Sequence, residues 1–433
     1  MTGRSMRYRG SYDACATYRR LRDAGVLGSH SYIHLSRGQA EIGWAPVDHL
    51  RHTAADFLPD WRERLAGMTD TASGRKAMGY VSFEAVDAVE PPDGSTPDAV
   101  PLAEFIVPGE RVTFAGDGNV THHTTSGFDV APYLTVMLPP RPSTGREQVL
   151  RPVAACSAEA FTGSVQRAVE NIQAGVVQKV VLSRYQAFDL RYDPLDVFLS
   201  ICEPRTFADA FLVSFGGVTA MVASPELLLA GEERRITSNP LAGTRPRGAT
   251  FDEDERLRHE LRYDHKEIVE HVLSVTTLLG QLEPLCEHDT LVVRDLMDTS
   301  IHAKVQHLSS YILGRVSPER HVLEALWALF PSVTIAGYPK ERAVRLLRSL
   351  ELGPRWLYSG IIGWVAGDAD CRFSLAIRGV FRYGERTYLH TGAGIMAESV
   401  PERELAETEH KLSAASQALA RAASSQADPA AVP

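Results

Sequence analysis

The run VVQKVVLSRYQAF, residues 176–188, sets a lysine between pairs of valines in a segment that reads as a β-strand. Side chains alternate along a strand, so Val177, Lys179, Val181 and Ser183 share one face. Gln178, Val180, Leu182 and Arg184 share the other. An ammonium group in so apolar a strand must reach water, a counter-charge or a ligand, because burying it alone is costly. Any fold open to this chain therefore keeps that sheet face wet or brings an anion to it. The stretch before it, residues 157–175, reads as a helix opened by Ser157 as N-cap and closed by Gly175.

Helices and strands alternate irregularly around this unit. Upstream, residues 53–67 have helical spacing, 76–86 contain a strand-like alternation, and 103–106, 111–115 and 133–138 are strand candidates. The proline-rich stretches 91–101 and 139–145 read as surface loops. Downstream come a short helix in 193–204, two strands in 210–224, a small-residue turn at 241–245 and one charged helical segment over 251–279. Strands follow at 293–300 and 305–316, helices at 321–330 and 340–350, then three more strand segments and a final helix; 421–433 reads as a disordered tail. Net charge is -9 with no basic block, which argues against a nucleic-acid or anionic-membrane surface. The five cysteines are scattered and form no CxxC, as suits thiols in a reducing compartment. With no run of about 18 apolar residues and no secretory signal, a soluble cytoplasmic protein is expected.

Gly392 and Gly394 precede a run in which helical periodicity puts Glu404, Glu407 and Lys411 on one face. A glycine loop there could present backbone N–H groups to a carboxylate-bearing ligand. Glu407 and Lys411 also form the favourable i,i+4 pair of a solvated helix. The Glu-x-x-Glu pattern recurs at Glu267 and Glu270, and two such helices facing each other need positive charge between them. Oxygen-only ligation favours a hard cation such as Mg2+. There is no HExxH, cysteine cluster or P-loop, so zinc hydrolysis and nucleotide chemistry find no support. Such a site suits an anionic, oxygen-rich small molecule: Arg378 and Lys411 could meet carboxylates, and Tyr358 offers a hydroxyl. Lys179, with a lowered pKa, and Glu226, holding its proton in an apolar pocket, form a candidate base and acid.

At these residues the chain resembles the chorismate-utilising enzymes, a family that includes anthranilate, isochorismate and salicylate synthases. The matching stretches are VVQKVVLSRYQ, ASPELLL, PLAGTRPRG, KEIVEH, VQHL, LFPSVTIAGYPK, LYSG, AIRG and GAGIMAESVPERELAETEHKL, in the family's order over residues 156–412. Residues 1–150 resemble the family's N-terminal part more loosely. The resemblance implies one α/β (α+β) domain over 1–420, with two large, mostly antiparallel sheets packed together and helices outside. It is closest to the salicylate synthases of siderophore biosynthesis. That implies Lys179 as the base activating water at C2 of chorismate, and Glu226 as the acid protonating the departing C4 hydroxyl. Glu267, Glu270, Glu404 and Glu407 correspond to the magnesium-site residues. Tyr358, Arg378, Gly392, Gly394 and Lys411 match substrate-binding positions. Gly243, Thr244 and His307 match positions tied to substrate placement and pyruvate elimination.

Two relatives compete. Anthranilate synthases typically carry glutamine where Lys179 stands, as suits ammonia delivered by an amidotransferase; the lysine suits water, so no glutaminase subunit is expected and the resemblance implies a monomer. Isochorismate synthases share Lys179 and Glu226 and differ in stopping before pyruvate leaves; an amino-isochorismate-type enzyme is a further alternative. Ala336, Tyr338 and Leu405 depart from the salicylate synthase pattern at pocket walls.

Overall fold

The strand carrying the lysine spans Lys179–Phe188, and Lys179 has no solvent exposure, so an anion rather than water must answer it. The helix before it forms as Ala158–Gln173; Ser157 Oγ accepts from Ala160 N, and the chain leaves through Gly175 at φ 76°. These positions come from a computed structural model that describes residues 4–36, 38–53, 61–86, 100–136, 149–203, 205–302 and 305–424. The loop expected at 139–145, most of that at 91–101 and residues 425–433 of the expected tail lie outside the described residues.

The twenty strands among the described residues pair antiparallel throughout. From Lys179–Phe188 the ladder passes through Arg386–Ile395, Gly379–Tyr383, Val218–Ser224, Asp209–Phe215 and His30–Ser36 to Gln39–His52. That strand pairs with Ala103–Phe114, from Ala40 opposite Phe114 to His52 opposite Ala103. A second branch leaves Ala103–Phe114 through Ala77–Val81, Ile361–Ala366, Asp370–Leu375, Leu227–Glu232 and Arg235–Ser238 to Val305–Arg315. Tyr32, Phe211 and Phe381 of one branch pack with Tyr80 and Ile362 of the other in a buried apolar layer. The two packed sheets are thus present, and hydrogen bonds join them through Ala103–Phe114.

Helices cover the outer faces. Ala14–Asp23, Pro194–Cys202 and Pro401–Ser424 bury Tyr18, Phe198 and Leu412 on one side. Ala158–Gln173, His265–Leu282, Val322–Leu329 and Lys340–Leu350 bury Val165, Leu278, Leu326 and Leu347 on the other. Among the described residues no helix is long and apolar enough to cross a membrane.

Several local expectations change. The helical segment over 251–279 breaks at Asp264, which ends Phe251–Tyr263 and caps His265–Leu282 by accepting from Glu267 N. The turn expected at 241–245 is the strand Leu241–Pro246, bulged between Ala242 and Thr244. Strand candidates 103–106 and 111–115 fuse into one strand, and the described part of 133–138 forms no strand. Residues 421–424, expected in the tail, continue the last helix.

One buried carboxylate stitches the branches together. Asp209 accepts from His34 Nε2 at 2.9 Å within its own branch, and from Arg372 Nε at 2.6 Å and Ser374 Oγ at 2.7 Å across the layer. Burial pushes its pKa up, but the His34 and Arg372 contacts outweigh burial and hold it at about 2. Its folded pKa lies below the unfolded value, so this stabilisation is present above about pH 4 and is lost as pH falls toward 2. Asp209→Ala should cost about 3 kcal/mol, because it strands a buried arginine. Urea unfolding at pH 7 and pH 3 checks this: the gap between variant and wild type should shrink at the lower pH.

Candidate active site

Lys179 finds its anion on the helix His265–Leu282. Its Nζ lies 3.0 Å from Glu270 Oε1 and donates to Ser274 Oγ at 3.4 Å. Burial pushes the Glu270 carboxyl up, but Lys179 and then Lys266 outweigh it and bring the pKa down to about 2. Glu270 fits here because its sheet neighbour is Gly394, where any Cβ would fall 2.2 Å from Glu270 Oε1. Gly392 and Gly394 therefore do not form the expected anion-holding loop. They lie in the strand Arg386–Ile395, opposite Ser183 and Val181.

A cleft opens beside this pair. Glu226, Gly243, Thr244, Glu270, His307, Tyr358, Arg378, Gly392, Gly394, Glu407 and Lys411 all line it. Lys179 reaches it through Glu270. Glu267 and Glu404 face a neighbouring cleft, which Glu407 and Thr244 also line. All fourteen residues singled out from the sequence thus fall in or beside two adjoining cavities.

Glu226 lies at a strand edge beneath Thr334, whose hydroxyl donates to Oε1 at 2.7 Å. Burial pushes its carboxyl up to about 7 against that hydrogen bond. On another wall, Gly243 sits at φ 80° in the bulge and turns Thr244 N toward Glu267 Oε2, 3.0 Å away. Thr244 Oγ1 and Gly243 O both lie 3.1 Å from His307 Nδ1. The carbonyl requires a proton on Nδ1, which leaves Nε2 to accept from Arg378 at 3.3 Å. Burial, then Arg378, push the His307 pKa well down, so the imidazole is neutral. Arg378 itself has a positive φ of 56°, backbone strain of the kind found at ligand-binding positions. Tyr358 stacks on His390 with ring centroids 5.1 Å apart, and burial raises its hydroxyl to about 12.

The four glutamates each meet a cation. Glu267 Oε1 accepts from Arg245 at 2.7 Å, Glu404 lies 3.0 Å from Lys266 Nζ, and Glu407 lies 2.5 Å from Lys411 Nζ, which also donates to Gly392 O. Burial raises the Glu404 pKa to about 7, with Lys266 opposing and Glu407 adding to the rise. Glu267 is raised by burial too, against Lys266. Among the described residues no three of the four carboxylates bring ligand atoms within 4.8 Å of one another. Buried and oxygen-only, this donor set fits a hard divalent cation in chemistry, and such an ion would compete with the cations already on the carboxylates, Lys266 first among them. Lys266 and Arg245 escaped the sequence reading, although Lys266 adjoins Glu267. So did Thr334, and His390 and Thr391, whose Nε2 and Oγ1 are buried at the cleft without hydrogen-bond partners among the described residues.

These features have a family. The chorismate binding enzyme model matches residues 29–417, and the chain belongs to that family. It is 30% identical over 399 residues to anthranilate synthase component 1 of Saccharolobus solfataricus, covering 90% of this chain and 92% of that one. It is 38% identical over 254 residues to the salicylate synthase of Mycolicibacterium paratuberculosis, covering 58% of this chain and 56% of that one. The fold matches MenF, the menaquinone-specific isochorismate synthase of Escherichia coli, at TM-score 0.76 and 19% identity, covering 96% and 94% of the chains. It matches anthranilate synthase component I of Streptococcus pneumoniae at TM-score 0.75 and 23% identity, over 88% and 93%.

Gly394→Ala should leave the fold intact, since the clashing atom is the mobile end of a side chain, but drive the Glu270 carboxylate off Lys179. Chorismate turnover should fall at least about tenfold, the scale of a misplaced group in the site, and Tm should fall with it, because the buried Lys179 ammonium loses its counter-charge. Equal turnover would mean the Lys179–Glu270 contact is incidental.

Proposed function

We propose that the chain is a magnesium-dependent salicylate synthase, converting chorismate to isochorismate and then to salicylate and pyruvate. The observation that supports its first stage, the formation of isochorismate, is the proton-holding Glu226 carboxyl lining the cleft that the buried Lys179 amine reaches through Glu270. Adding water at C2 while the C4 hydroxyl leaves needs a base on one side of the ring and an acid on the other. Glu226, with its pKa raised to about 7, keeps a proton available for the departing hydroxyl near neutrality. Lys179 is the candidate to orient and deprotonate water. Its Nζ lies 3.0 Å from Glu270 Oε1, so the amine must leave that contact before it can meet a water at the ring.

Glu267, Glu270, Glu404 and Glu407 are the residues that would hold Mg2+, which when bound neutralises the ring carboxylate of the substrate. Charge balance supports this. Lys179, Lys266, Lys411 and Arg245 already answer the four glutamates. A dicarboxylate adds two charges, of which Arg378 can meet one. For the second stage, a pericyclic hydrogen transfer to the enolpyruvyl group, no strong base is required. The neutral His307, fixed between Gly243 O and Arg378, with Thr244 and Tyr358, supplies a rigid wall that orients the side chain over C2. A lysine rather than glutamine at position 179 suits water over ammonia, so the chain acts without a glutaminase partner.

Incubating the purified protein with chorismate and Mg2+, without ammonia, tests the reading. Salicylate and pyruvate should form in equal amounts; isochorismate accumulating without pyruvate would replace it with an isochorismate synthase. Lys179→Ala should abolish isochorismate formation while chorismate still binds. The rate of water addition should decline as pH rises past about 7 and Glu226 loses its proton. Thr334→Val removes a hydrogen bond that favours the carboxylate, so this alkaline limb should move to higher pH.

A further inference from the structure

The junction between the two branches carries a cluster that the chemistry above does not use. His30 opens the strand His30–Ser36, His49 lies in Gln39–His52, and Glu104 lies in Ala103–Phe114, three neighbouring strands. Arg51 sits opposite Glu104, so His49 is its diagonal neighbour on the same face. His49 Nε2 lies 3.0 Å and His30 Nε2 lies 3.3 Å from the same oxygen, Glu104 Oε1. One ligand atom from each residue lies within 4.8 Å of the other two, the one such group among the described residues. None of the three lines the active-site clefts.

We propose that His30, His49 and Glu104 form a second metal site, for a zinc-class divalent cation, separate from the oxygen-rich cluster of glutamates. Two imidazoles and a carboxylate are a borderline-soft donor set, suited to zinc and poorly suited to magnesium. With bonds of about 2.0–2.1 Å, a tetrahedral zinc site spaces its ligand atoms about 3.3 Å apart, close to the two spacings here. The outer contacts also match those of metal ligands. Ser29 Oγ lies 2.9 Å from His30 Nδ1, where it can accept that proton and leave Nε2 free to ligate. Tyr80 OH donates to Glu104 Oε2 at 2.8 Å, fixing the carboxylate while Oε1 faces the imidazoles. Glu104 is buried at 2 % and the His49 side chain is 35 % exposed, so the site has a rigid floor and a route for the ion from solvent. Three protein ligands leave a fourth position for water, and the ion would clip together the strands that join the branches.

The competing arrangement is metal-free, with both rings donating Nε2–H to Glu104. Cobalt distinguishes the two, because tetrahedral Co2+ has intense visible bands that an oxygen-ligated octahedral ion lacks. The full chain is titrated with Co2+ and then Zn2+ in excess Mg2+, which occupies the glutamate cluster. One equivalent of Co2+ should give the tetrahedral spectrum, Zn2+ should displace it, and Zn2+ should raise Tm. His49→Ala should lose the bands and the Tm rise while keeping the apo far-UV spectrum of wild type; Glu407→Gln should keep both. Tyr80→Phe retains every ligand and should weaken Zn2+ binding about tenfold. Absence of a tetrahedral band in wild type, or an unchanged band in His49→Ala, overturns the proposal.

Discussion

An ammonium group with no exposure to water, in the middle of a sheet, is tolerable only if a carboxylate is brought to it. Lys179 imposes that condition, and much of the active-site half of the molecule meets it. The helix His265–Leu282 lies against the sheet close enough for Glu270 to touch the amine. The adjoining strand is glycine at 394 because nothing larger leaves room for that carboxylate. Glu270 in turn adds to the charge that the last helix, through Glu404 and Glu407, shares with Lys266 and Lys411. A charge that could not be hidden has become the reason for a pocket.

Within that pocket, two carboxyls of the same kind are driven in opposite directions. Glu226 and Glu270 are both buried, and burial alone would keep both protonated. Glu270 has lysines against it and stays ionised; Glu226 has mainly a threonine hydroxyl and sits near 7. Environment, not residue type, divides the carboxyl that keeps its proton from the one that serves as counter-ion. The same logic separates His307 from a surface histidine: a carbonyl on one nitrogen and a guanidinium on the other fix its tautomer and exclude a second proton.

Much of this was legible in the sequence, for definite reasons. The strand and capped helix around Lys179 follow from β-branching, Ser157 and Gly175, local signals that tertiary contacts did not override. The glutamates and Lys179 could be picked out because two Glu-x-x-Glu repeats and an apolar lysine each leave charge unanswered, whereas Gly243, Thr244 and His307 were marked only by the resemblance to the family. What stayed hidden depends on register. Nothing local says that Gly392 and Gly394 belong to a strand rather than a loop, since their neighbours pair with residues some two hundred positions away. Asp264 reads as one acid in a charged helix, yet its side chain satisfies the next helix's N-terminus and so splits the segment. Lys266, beside Glu267, reads as a solvated charge until the last helix sets Glu404 against it.

The clusters at the two ends of the first sheet branch differ in the one respect that selects a metal. Around Lys179 the donors are carboxylates partnered by lysines and an arginine, each pair neutral. A cation entering there must compete with an ammonium for hard oxygens. At the branch junction the donors include two imidazoles that are neutral when unprotonated, and both rings and the Tyr80 hydroxyl meet the Glu104 carboxylate. An ion entering there displaces protons rather than side chains, so its affinity follows pH more steeply than competition from other cations. Joined by one hydrogen-bonded ladder, the two clusters offer different chemistries because their counter-charges differ.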